Sequence, residues 1–117
     1  MNKVNISNAE HYIWGSNCDG WHLLKNDNLS VIQEKVPRGC SEVKHYHKIS
    51  RQFFYVLKGI ATIEIEEKVF KLSPSEGIEV NPGQVHQLRN ETEEDLEFLV
   101  VSSPKSQGDR VLFKTIY

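Results

Sequence analysis

His45 and His47 stand two residues apart in the stretch Lys44-His45-Tyr46-His47, Gln52 follows five residues later, and a third histidine of interest lies at His86. Side chains alternate between the faces of an extended strand, so His45 and His47 point the same way, with Cα atoms about 6.6 Å apart. Two imidazoles at that spacing can share one ion, and a third from elsewhere in the chain would complete the nitrogen-rich shell that first-row transition metals take. An H-x-H pair also arises by chance, so its weight depends on what surrounds it.

What surrounds it is a series of short strand-like segments. Leu29 to Val36 is rich in β-branched residues and stops at Pro37-Arg38-Gly39, and Gln52 to Leu57 is closed by Lys58-Gly59. Ile60 to Glu66 sets Ala61, Ile63 and Ile65 against Thr62, Glu64 and Glu66, the period of a half-buried strand, and turns through Glu67-Lys68 into Val69 to Leu72. Gly77 to Val80, Gln84 to Leu88 and Leu96 to Val101 supply three more strands, separated by Asn81-Pro82-Gly83 and the acidic turn Asn90 to Asp95. No segment sustains a 3.6-residue period, so the expected fold is all-β, a sandwich or barrel.

At 117 residues the chain is expected to form a single domain: a flank with the first strands over 1–28, a barrel core over 29–101 and a C-terminal extension over 102–117. Val111-Leu112-Phe113 could pair there as an edge strand, within or between subunits, and the aromatic segment Tyr12 to Trp21 could cover a barrel mouth.

The spacing of Gly39, His45, His47, Gln52 and Gly59, G-x5-H-x-H-x4-Q-x6-G, resembles the first motif of the cupin superfamily, with glutamine where that family usually has glutamate. Pro82-Gly83-Gln84-Val85-His86-Gln87-Leu88-Arg89-Asn90 resembles the end of its second motif. The opening of that motif departs: Asn81 replaces a proline, and the initial glycine is either Ser75 or Gly77. The resemblance implies an antiparallel jelly-roll β-barrel, commonly a homodimer, with His45, His47 and His86 converging inside it on one divalent transition metal. Zn, Ni, Co, Fe and Mn all suit such donors. Gln52 is either the fourth ligand or an orienting hydrogen-bond partner. As a ligand it leaves the full +2 charge on the site, which favours Lewis-acid chemistry and anionic or chelating substrates over oxidative cycling.

If Gln52 points inward, so do Phe54 and Val56, and inward His86 carries Leu88 with it; these form the expected substrate pocket, largely apolar. Phe53, Tyr55 and Tyr46 then face the other way. Glu34 shares a face with Ile32 and Val36, making it the one carboxylate in the strands that alternation could bring to the cavity as an acid or base, although a surface position is the commoner fate of a glutamate. Arg51 is expected at the surface.

The interspersed charges, net −2, lack the basic stripe of a nucleic-acid binder, and no apolar run approaches the roughly 20 residues of a membrane-spanning helix. Without a signal-peptide pattern the expected compartment is the cytoplasm, with Cys18 and Cys40 as free thiols. Three functions fit a small-molecule ligand. They are a metal-dependent isomerase, epimerase or lyase acting on a small oxygen-rich substrate, a metal-dependent dioxygenase, and a non-catalytic ligand-binding or sensing barrel.

Overall fold

The computed structural model describes residues 3–113, and within them every regular element is a strand. Eleven strands run in chain order: β1 Glu10–Trp14, β2 Cys18–Lys25, β3 Ser30–Val36, β4 His45–His47, β5 Arg51–Lys58, β6 Ala61–Ile65, β7 Lys68–Leu72, β8 Gly77–Val80, β9 His86–Arg89, β10 Leu96–Ser103 and β11 Arg110–Leu112. They form two antiparallel sheets, one ordered β1-β2-β3-β10-β5-β8 and the other β11-β4-β9-β6-β7. Neighbours in both sheets are mostly distant in sequence, which is the winding of a jelly-roll barrel. No helix among the described residues is long and apolar enough to cross a membrane.

Alternation fills the space between the sheets. Leu96, Phe98 and Val100 of β10, Phe54 and Val56 of β5, Ala61, Ile63 and Ile65 of β6, and Ile32 and Val36 of β3 are buried together with Leu88. Removing these side chains from water, at about 25 cal/mol per Å² of apolar surface, is the main force holding the sheets together. Thr62, expected to face solvent, is buried instead, with its hydroxyl directed at Glu91.

Two turns set the register of the strands that matter for the site. Asn81-Pro82-Gly83-Gln84 is closed by the Gln84 amide donating to the Asn81 carbonyl, and Gly83 takes the positive φ of 84° that this kind of turn reserves for glycine. The Gly83 amide donates to the His47 carbonyl at 2.7 Å, which ties the turn to the end of β4 just before β9 begins at His86. At the other end Asn90 is buried, its amide nitrogen donating to the Val36 and Glu94 carbonyls and its side-chain oxygen accepting from Thr92.

The two segments left open from sequence form further strands. Tyr12 to Trp21 becomes the hairpin β1–β2, and Val111-Leu112 lies in β11, which pairs with β4 of the same chain. Residues 114–117 of the expected C-terminal extension, and residues 1–2, lie outside the described part. Cys18 and Cys40 are both free thiols.

Candidate metal centre

β4 and β9 are adjacent antiparallel strands in which His45 sits directly opposite His86, so the two imidazoles share a face. His47 joins them by alternation along β4. The ring centroids lie 4.4 Å apart for His45 and His86, 5.0 Å for His45 and His47, and 5.9 Å for His47 and His86. Each histidine brings a candidate ligand atom within 4.8 Å of the others, and all three are buried.

The hydrogen bonds of two of these rings fix which nitrogen is free. His45 Nδ1 meets the Val43 carbonyl at 2.7 Å and His86 Nδ1 meets the Gln84 carbonyl at 3.0 Å. A carbonyl can only accept, so both rings carry the proton on Nδ1 and offer the Nε2 lone pair. His86 Nε2 and His47 Nδ1 are buried with no partner. Burial above all pushes the imidazoles toward neutrality, His45 down to about 3 and His47 down to about 4, with His86 lowered for the same reason. Neutral, partnerless ring nitrogens converging inside a barrel are what a divalent cation requires of its ligands.

Gln52 borders the same cavity. It is buried on β5, its amide nitrogen donates to Ser102 Oγ at 3.1 Å, and its Oε1 has no partner. The oxygen is the end of the amide that a cation would take, so the residues present fit a metal with three imidazoles and one amide oxygen.

The cavity beside the histidines has a volume of about 180 Å³. Phe54, Ile32 and Val100 supply its apolar wall. Val56 and Leu88, expected to line it, are fully buried but pack in the core away from the cavity. Alternation decides which face a side chain takes, not how far along the barrel it sits.

The wall is also more polar than alternation in the motif strands suggests, because segments outside the motifs contribute much of it. Tyr12 and Trp14 reach in from β1, Glu42 from the loop before β4, and Arg110 from β11. Glu34 does face the cavity rather than the surface, and the Tyr12 hydroxyl donates to its Oε2 at 3.0 Å. Burial raises the Glu34 carboxyl to about 7 against the opposing pull of Tyr12 and Arg110. Glu42, which no strand pattern singled out, accepts the Leu88 amide on Oε1 at 2.9 Å and is raised to about 8, by burial first and then by the nearby Glu34 charge. The Tyr12 ring lies over Gly20, where an added Cβ would come within 2.2 Å of the ring. Only glycine leaves that space.

Arg51 pairs with Glu79 at the surface, as expected, and Tyr46, Phe53 and Tyr55 face away from the site.

An all-β barrel with a buried three-histidine cluster on the adjacent strands β4 and β9 defines the class. Residues 32–102, more than half of the chain, match the family described as Cupin domain, and the chain belongs to that family. Among solved structures it resembles the polyketide cyclase RemF from Streptomyces resistomycificus, with a TM-score of 0.83 and 19% identity over 98% of this chain and 87% of that one. It also resembles KdgF from Halomonas sp., with a TM-score of 0.81 and 20% identity over 90% of this chain and 94% of that one. An oxidoreductase of Arthrobotrys oligospora is 25% identical over 107 residues, covering 86% of this chain and 42% of that protein. The chain therefore spans less than half the length of that relative.

Proposed function

We propose that the protein is a metal-dependent enzyme of the isomerase, epimerase or lyase type, acting by proton transfer on a small oxygen-rich molecule. The observation that carries this reading is a buried three-histidine cluster, two of whose members, His45 and His47, line one cavity with the carboxyls of Glu34 and Glu42. His45, His47, His86 and Gln52 would hold a divalent ion, whose contribution when bound is Lewis-acid polarisation of a substrate oxygen.

Glu34 and Glu42 then divide the proton transfer. Tyr12 occupies Oε2 of Glu34, which leaves Oε1 to face substrate. With its carboxyl near 7, Glu34 is ionised in part of the population at neutral pH and is placed to take a proton from the carbon next to the polarised oxygen. Glu42, near 8, is mostly protonated there, with Oε2 free to deliver a proton at the other end of the shift. Burial raises both carboxyls toward neutrality, so each can take or give a proton near neutral pH.

The reading is tested by incubating the metal-loaded protein with small hydroxy- and keto-sugars and acids in D2O and following deuterium incorporation by mass spectrometry. Exchange that depends on both the metal and Glu34 is expected. Exchange unaffected by Glu34→Gln would overturn the assignment of the base.

A second reading, a metal-dependent dioxygenase, is favoured by one observation: the Arthrobotrys oligospora relative is described as an oxidoreductase. Oxygen uptake by the Fe(II)-loaded protein on adding the same compounds would support it.

A further inference from the structure

Arg110 enters the cavity from a part of the chain that neither histidine motif reaches. On β11 it is the direct antiparallel partner of His47, and cross-strand partners project to the same face of a sheet. It borders the cavity together with His45, His47 and Gln52. Among the described residues its guanidinium has no carboxylate within 4.0 Å and no side-chain hydrogen bond, although Glu34 and Glu42 border the same space. An arginine that a fold places at the mouth of a site and leaves without a partner has its planar fork of donors available to something that arrives.

We infer that Arg110 is the anion-recognising residue of this cavity and that the substrate is a small carboxylate carrying a neighbouring hydroxyl or carbonyl oxygen. The inference rests on the metal-centre reading, and it adds the class of molecule that the centre takes.

The placement of charge points the same way. Arg110 carries a fixed positive charge at the rim of the ligand set, Gln52 brings none to offset it, and a bound divalent ion would add to it, so an anionic group is the complement this side of the cavity takes. The cavity, about 180 Å³ in volume, has room for a small ligand beside the histidines. A small hydroxy or keto acid fits that space.

Isothermal calorimetry on the zinc-loaded protein, with glycolate and its neutral counterpart glycolamide as probes, tests the inference, with zinc content measured on every sample. Arg110→Gln is expected to weaken glycolate binding about tenfold to a hundredfold, the cost of losing a charge-assisted pair, and to leave glycolamide binding unchanged. Arg110→Lys should recover part of the loss, because it restores the charge without the fork. Equal glycolate affinity in the parent and in Arg110→Gln at equal zinc content would overturn the inference. So would loss of zinc from Arg110→Gln, since the residue would then be supporting the centre rather than reading the ligand. Failure of the parent to bind zinc would instead defeat the metal-centre reading itself.

Discussion

The Tyr12 hydroxyl donates to Glu34 Oε2 at 3.0 Å, joining the first strand of the fold to the third beside the cavity. The bond holds one carboxylate oxygen and thereby orients the other. It also pulls the Glu34 carboxyl down against the burial that raises it. Tyr12→Phe should therefore shift the acidic limb of any pH–rate profile to higher pH and lower turnover at neutral pH by about tenfold, with a stability cost of only about 1 kcal/mol. A profile that does not move would show that Glu34 is not the titrating base.

Gly20 makes that geometry possible without touching substrate. Gly20→Ala is expected to displace the Tyr12 ring and reproduce the shifted pH profile of Tyr12→Phe, while zinc content stays at the parental level. Kinetics of the two single variants and of the double variant check this, because the double should be little worse than either single.

Stability of the metal-free protein should pass through a maximum on the slightly acid side of neutral. Glu34 and Glu42 have carboxyls raised from 4.5 to about 7 and about 8, so the folded state binds more protons than the unfolded and gains stability as the pH falls from 8. His45 and His47 are lowered from 6.5 to about 3 and about 4, and His86 is lowered too, so below 6.5 three imidazoles take protons first in the unfolded state. This outweighs the two carboxyls only slightly until about 4.5, below which the carboxyls protonate in both states and stability falls steeply. Thermal melts across this range should show both limbs. The Glu34→Gln, Glu42→Gln double variant should lose the rise between pH 8 and 6.5 and keep the acid-side fall.

Phe98 is buried on β10 and packs its ring 5.9 Å from that of Phe54, which in turn lies 6.0 Å from His86. Phe98→Ala should cost about 3–5 kcal/mol of folding stability through the cavity it leaves, measurable by urea denaturation. Val56→Ala, in the same core but away from the site, should also destabilise the fold and leave ligand affinity unchanged, which separates packing from function.

Alternation and turn chemistry were enough to place His45, His47, Gln52 and Phe54 on one inward face, because a strand period of two leaves little choice once one member is assigned. The motif turns carried His86 to the same place. Val56 and Leu88 share that inward orientation, but depth along the barrel is set by register between strands, which no local pattern reveals. Glu42 lies in a loop, where there is no period to read, and Arg110 reaches the cavity only because β11 folds back onto β4. Tyr12 was noticeable as part of an aromatic stretch. Its role emerged from the pairing of Tyr12 with Gly20, a contact between strands rather than a feature of either one.

Metal content per chain bears most directly on the account as a whole. Protein purified without chelators, or reconstituted with zinc after their removal, is expected to hold about one equivalent by elemental analysis. His45→Ala, His47→Ala and His86→Ala should each lose it while retaining the far-ultraviolet spectrum of a folded β-barrel. A parent that takes up no divalent ion after reconstitution, or histidine variants that hold as much as the parent, would contradict it.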